Sequence, residues 1–280
     1  LNKKFIVVIN KSDIQKISRD KLDEIKTYTK EIIEISVKND FDIDKIKGLI
    51  AKNLPEGFLE KEILLDDLLQ KGDTVIFVTP IDKEAPKGRL ILPQVQTLRN
   101  ALDNGIISIV VQVDELKQTI ENLKTKPNLV VTDSQSFKEV NEILADSIPL
   151  TSFSILFARM KGDLREFVKG AREIENLKDG DKILICETCT HHPICEDIGR
   201  VKIPRLLKNY TKKQLDFDIS AGHDFPKNLT DYKLIIHCGG CMINRAEFAA
   251  RIFFAKKYNI QITNYGIVIS YCLSIMEKAV

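Results

Sequence analysis

No stretch of this chain approaches eighteen consecutive apolar residues, so no segment of it reads as a membrane span. No positively charged leader precedes an apolar core, so no secretion signal is read either. An excess of one charge is missing too. Lys and Arg number 42 against 40 Asp and Glu, interspersed, for a net charge of +2. That balance argues against a nucleic-acid binder, whose affinity rests on a basic surface. The phosphate-cradling pattern G-x-x-x-x-G-K-[ST] is absent, so no loop is expected to hold a triphosphate and no Ser or Thr its Mg²⁺.

At 280 residues the chain is long enough for two or three domains with cores of their own. Its six cysteines, Cys186, Cys189, Cys195, Cys238, Cys241 and Cys272, fall in the last third and include two C-x-x-C pairs. In a lysine-rich chain without a leader, such pairs read as metal ligands in a reducing compartment, which places the protein in the cytoplasm.

Short β-branched runs alternate with longer helical periods, the pattern of parallel sheets with crossover helices. Strands are expected at 5–9, 73–79, 106–111, 129–132, 182–186, 234–238 and 260–264. Helices are expected at 43–54, 94–104, 115–123, 135–146, 164–176, 244–257 and 268–278. The division expected is 1–57, 58–150 and 151–280. One echo recurs: Lys71-Gly72-Asp73 and Asp179-Gly180-Asp181 each precede an apolar strand, which reads as a shared helix-to-strand turn rather than a domain duplication. The middle third carries no nucleophile–base pairing, and its short strands leave a sheet edge open for self-association.

The first strand runs into Asn10-Lys11-Ser12-Asp13, and Ser36-Val37-Lys38 follows further on. The two together resemble the guanine-specificity loops of P-loop GTPases, in which the aspartate accepts from the ring N–H and exocyclic amine of guanine. Asn10, Lys11, Asp13, Ser36 and Lys38 are therefore candidate guanine-binding residues. With Leu1 at its start and no phosphate loop, the segment is expected to be the tail of a GTPase domain, unable by itself to turn over GTP.

The densest chemistry is Cys189-Thr190-His191 together with His237-Cys238-Gly239-Gly240-Cys241. The thiols are expected at the carboxyl ends of two parallel strands, where α/β sheets open a crevice. Gly239 and Gly240 would let the backbone turn and aim N–H groups at sulfur. Three metal readings compete. Cys186, Cys189, Cys238 and Cys241 make a legitimate four-thiolate zinc set, although Cys186 lies inside an apolar strand. A Rieske-type centre fails, because Cys241 stands where a second histidine is needed. An iron–sulfur cluster on Cys189, Cys238 and Cys241 leaves its fourth position to a weaker ligand. His191, on the same loop as Cys189, can reach that position, with His192 less suited. Glu196 offers a hard, displaceable carboxylate. His237 neighbours Cys238 on a strand and should face the other way. Cys195 and Cys272 read as core or spare thiols. Arg200, Lys202, Arg205 and Lys208 form a basic stretch that either holds an anionic ligand or is a solvated helix face. An iron–sulfur enzyme binding substrate at the open iron is an alternative; it would need a base, for which His191 and His223 are the candidates. A zinc-stabilised interaction module is another.

The combination C-x-H…H-C-x-x-C, carried by Cys189, His191, His237, Cys238 and Cys241 behind a GTPase-like segment, resembles the HydF family of iron–iron hydrogenase maturation GTPases. Asn10 to Asp13, residues 85–93, Arg200-Val201-Lys202-Ile203-Pro204 and Gly222-His223-Asp224-Phe225-Pro226 extend the resemblance over the whole chain. It implies an α/β protein: a P-loop GTPase remnant, a parallel-sheet dimerisation domain, and a Rossmann-like domain carrying a four-iron four-sulfur cluster on three cysteines. It implies GTP and Mg²⁺ in the intact protein and self-association as a homodimer or higher. It also implies a scaffold role: a diiron precursor with CO and cyanide ligands, built with the radical-SAM partners HydE and HydG, is delivered to the hydrogenase HydA.

Overall fold

The computed structural model describes residues 5–38, 40–54, 63–81, 88–145, 147–188, 197–226 and 228–280. The chain divides into two compact units, 1–61 and 62–280. In the first, β1 (Val7–Ile9) pairs parallel with β2 (Ile32–Glu34), crossed over by α1 (Arg19–Lys26) and followed by α2 (Asp40–Asn53). Among the described residues of this unit, few are fully covered. Ile35 and Ser36 are buried, whereas Phe5, Val8, Ile14, Ile43 and Ile50 stand exposed.

The second unit holds two four-stranded sheets, each all-parallel. The first is built from β3 (Thr74–Val78), α3 (Leu92–Asp103), β4 (Ile107–Val111), α4 (Val113–Asn122), β5 (Leu129–Thr132), α5 (Phe137–Leu144), β6 (Leu150–Ser152) and α6 (Phe153–Lys161). The second follows as α7 (Leu164–Arg172), β7 (Lys182–Glu187), α8 (Ile203–Thr211), β8 (Asp216–Ala221), β9 (Leu234–His237), α9 (Arg245–Lys257), β10 (Gln261–Asn264), α10 (Tyr265–Cys272) and α11 (Met276–Ala279). Strand orders are β4-β3-β5-β6 and β10-β9-β7-β8. Numbered within each sheet, both are the same order, 2-1-3-4 read from one edge. The strand β6 crosses the boundary expected at 150, because its backbone completes the first sheet against β5.

Parallel strands are covered on both faces, so they read as continuous apolar runs, and period 2 then sorts each run between two cores. Val75 and Phe77 of β3 pack with Val131, Phe153, Leu156 and Phe157 on one side. Ile76 and Val78 face Leu116, Phe137 and Val140 on the other, in a core that continues across the whole second sheet. The recurrent Gly-Asp turn is the same device twice. Gly72 (φ +90°) and Gly180 (φ +83°) take the left-handed bend. Asp73 and Asp181 each accept from a backbone N–H three residues back, Gln70 at 2.8 Å and Lys178 at 2.7 Å.

Several elements depart from the sequence expectation, and α1, β2, β6, α6 and α8 were not among those expected. The strand β8 was not among those expected: Asp216 and Asp218 interrupt its apolar character, and pairing with β7 at the sheet edge makes it a strand. The closing helix expected at 268–278 is two helices. The first starts directly off β10, capped by Asn264 accepting from Gly266 N, and breaks where Ser274 takes φ +60°.

Candidate metal centre

The register of the second sheet sets the site. Asn264 of β10 lies opposite His237 of β9, and His237 opposite Cys186 of β7. One residue further on, Cys238 N–H still donates to Cys186 O at 2.9 Å, so Cys238 leaves β9 beside the end of β7, and Tyr265, the residue after Asn264, opens α10. Cys186 is fully buried in β7, and burial pushes its thiol far up from the ordinary cysteine range.

Beyond β9 the chain turns sharply, with Gly240 at φ +65°. A Cβ there would lie 2.8 Å from the Phe248 ring, so the turn needs glycine on two counts. The turn folds its own amide onto sulfur: Gly240 N–H donates to Cys238 Sγ at 3.4 Å. Thr188 N–H donates to the same sulfur at 3.3 Å, and Thr188 Oγ1 lies 3.3 Å from it. Backbone N–H groups that converge on one sulfur are the donors a metal-bound thiolate accepts. Cys241 lies partly buried against the core under α6, and burial together with the neighbouring Cys238 raises its pKa.

The turn is fastened from below by Lys161, the last residue of α6. Its buried ammonium donates to Gly240 O at 2.8 Å, Ile243 O at 2.9 Å and Cys241 O at 3.3 Å. This cation opposes the rise in the Cys241 pKa. At the other end of α6, Ser154 Oγ lies 3.0 Å from Asn264 Oδ1. The first sheet's last helix thus reaches both the cysteine turn and the end of β10.

His237 looks away from both thiols. Its Nδ1–H donates to the Cys238 carbonyl at 2.8 Å, and its Nε2 accepts from Arg251 Nη1 at 3.1 Å. The ring stands edge-on to Phe248 at 4.4 Å. Burial holds it neutral, its pKa pushed down to about 3. Arg251, itself buried, also donates to Gly222 O at 2.8 Å and Glu247 at 3.1 Å, tying α9 to the loop after β8. His223 sits exposed, 3.0 Å from Glu247.

Of the basic stretch, Arg200 pairs with the buried Glu187 through Nε at 3.2 Å and Nη2 at 2.9 Å. Lys202 donates to Gln135 at 3.1 Å, and Lys208 lies 5.6 Å over the Phe217 ring. Cys272 is half-buried, its pKa pushed up to about 12 by burial. The candidates Cys189, His191 and Glu196 lie outside the described residues, as do His192, Cys195 and residues 85–87. Among the described residues no three metal-ligating side chains converge.

In the first unit, parallel pairing of β1 with β2 brings the two candidate guanine loops together. Ser36 Oγ donates to Asp13 at 2.7 Å, and Lys38 Nζ lies 3.6 Å from the same carboxylate. The Ser36 hydroxyl, then Lys38, hold the Asp13 carboxyl below its ordinary range. Asn10 Oδ1 accepts from Lys11 N and Val37 N, bridging the loops, and Lys11 takes φ +65°.

Sequence reasoning did not single out Lys161, Arg251, Thr188, Glu187 or Tyr265.

Two consecutive parallel α/β domains, the second carrying a thiol turn at its strand ends, define the class of the second unit. The family model described as hydrogen maturase F dimerization domain matches residues 64–162, and that described as hydrogen maturase F tetramerization domain matches 165–280. The chain belongs to the hydrogen maturase F family, acts in hydrogenase maturation, and carries self-association domains over residues 64–162 and 165–280. No curated protein matches it. No helix among the described residues is long and apolar enough to cross a membrane.

Proposed function

We propose that the chain is a scaffold and carrier in iron–iron hydrogenase maturation. On this reading Cys189, Cys238 and Cys241 hold a four-iron four-sulfur cluster whose fourth position remains exchangeable. The observation that carries it is the Cys238 sulfur ringed by Thr188 and Gly240 donors, at a strand end in a chain of this family. This donor set fits the group, since thiolate ligands of such clusters are stabilised by hydrogen bonds to sulfur. When bound, the cluster supplies an iron to which an anionic ligand can attach and from which it can leave.

We place the exchangeable ligand on His191 or Glu196 rather than His237, both of whose ring nitrogens are engaged. The cargo on this reading is a diiron precursor with CO and cyanide ligands, received from HydE and HydG and delivered to HydA in the cytoplasm. Self-association through residues 64–280 makes the carrier a homodimer or a higher oligomer. Residues 5–54 are read as the end of a P-loop GTPase domain. The joined Asp13, Ser36 and Lys38 support that reading, as do the exposed apolar residues of its sheet. GTP and Mg²⁺ binding then belong to the intact protein, and this chain turns over no GTP.

Anaerobic reconstitution with iron and sulfide, followed by EPR of the reduced protein, tests the centre. A cluster signal that shifts on adding imidazole or cyanide is expected, and Cys238→Ser or Cys241→Ser should abolish it. A colourless, EPR-silent protein holding stoichiometric zinc would refute the reading.

A further inference from the structure

Tyr265 opens α10 at the end of β10, and its hydroxyl is sealed from solvent with no hydrogen-bond partner. Where that hydroxyl ends up is informative. A Cβ on Gly199 would meet Tyr265 Oη at 2.2 Å and Glu187 Oε1 at 2.8 Å, so phenol and carboxylate converge on one spot that only glycine leaves open. Glu187 belongs to β7, and β9 lies between β7 and β10. Asn264 pairs with His237 and His237 with Cys186, so a side chain that starts one residue past β10 and ends beside Glu187 passes the end of β9, which Cys238 follows. The nearest carboxylate is already engaged, because Arg200 grips Glu187 through two nitrogens. A buried hydroxyl without a partner is destabilising, and few native structures leave one so without cause.

We infer that the Tyr265 hydroxyl is a hydrogen-bond donor reserved for the anionic sulfur of the metal centre, a positioning residue that tunes the centre without ligating it. The inference rests on the cluster reading above. A donor aimed at sulfur stabilises the more negative, reduced state of a cluster and so raises its reduction potential. In the metal-free protein the same hydroxyl satisfies nothing, and its loss should do no harm. Gly199 is then the residue that leaves room for the hydroxyl beside Glu187.

Tyr265→Phe keeps the ring and removes only the donor. Two measurements on the 280-residue chain test the idea. In urea unfolding of the metal-free protein, the variant should match or exceed the wild type. In an EPR-monitored redox titration after reconstitution, its cluster should form with wild-type iron content. Its potential should be more negative by about 59 mV, a tenfold change in a one-electron equilibrium. A variant with a full cluster and an unchanged potential would overturn the inference and leave the cluster reading intact. So would a variant whose metal-free form is clearly less stable, since the hydroxyl would then already have a structural partner. A wild-type protein that takes up no cluster overturns the cluster reading and this inference with it.

Discussion

Lys161→Met removes the one side chain that joins α6 to three carbonyls of the cysteine turn. Methionine preserves most of the apolar stem, so the change isolates the ammonium. Two of the three bonds are short, 2.8 Å to Gly240 O and 2.9 Å to Ile243 O. A hydrogen bond to a charged group contributes about 1.5–3 kcal/mol, and each carbonyl left buried and unpaired costs a similar amount. Against this, the variant no longer buries a cation, which returns several kcal/mol. The balance is a loss of roughly 3 kcal/mol. For a unit of this size that corresponds to a melting temperature lower by about 6–12 °C. Circular dichroism on heating reads the first quantity. Hydrogen exchange reads the second: protection should fall over 238–243 and persist in β3, β5 and β7, since the loss is local. A melting temperature within about 2 °C of wild type, with unchanged exchange over the turn, would show that Lys161 does not fasten it.

Three further outcomes are expected. Gly170→Ala places a Cβ 2.0 Å from Ile262 O, where backbone of α7 meets backbone of β10, and should cost about 3 kcal/mol or more in urea unfolding; an unchanged midpoint would contradict the packing. Arg251→Met strands His237 Nε2 and Gly222 O, two neutral acceptors, and should destabilise by roughly 2–4 kcal/mol, with Arg251→Lys recovering little because an ammonium lacks the fork that reaches both. The Glu175 carboxylate accepts from Tyr210 at 2.6 Å and Tyr271 at 2.9 Å, and those hydroxyls lower its pKa from 4.5. Its contribution is therefore full above pH 4.5 and lost as pH falls through the lower folded value. The Tyr210→Phe, Tyr271→Phe double variant should show a flatter stability profile in that acid range, and an identical profile would count against the pairing.

Much of this molecule was legible before any coordinates. Runs such as Val75-Ile76-Phe77-Val78 can be covered on both faces only in a parallel sheet, and the helical periods between them supply the crossovers. The turn residues Gly72-Asp73 and Gly180-Asp181 announced the entry into each sheet, because a left-handed bend and a local carboxylate cap are short-range devices. The aversion of His237 from Cys238 also followed from strand alternation alone. Local chemistry of this kind is written in neighbouring residues, and a sequence displays it directly.

What joins residues distant in the chain was decided only by the tertiary structure. The shared strand order of the two sheets requires their pairing partners. The polar strand β8 becomes a strand because the β7 edge accepts it. Lys161 acquires its role from carbonyls about eighty residues on, and Tyr265 from reaching Gly199 and Glu187. A lysine at a helix end and a tyrosine after a strand carry no mark of this in sequence. Their meaning lies in which backbone groups and thiols the packed fold brings within hydrogen-bonding reach, and a lone residue type does not encode its long-range neighbours.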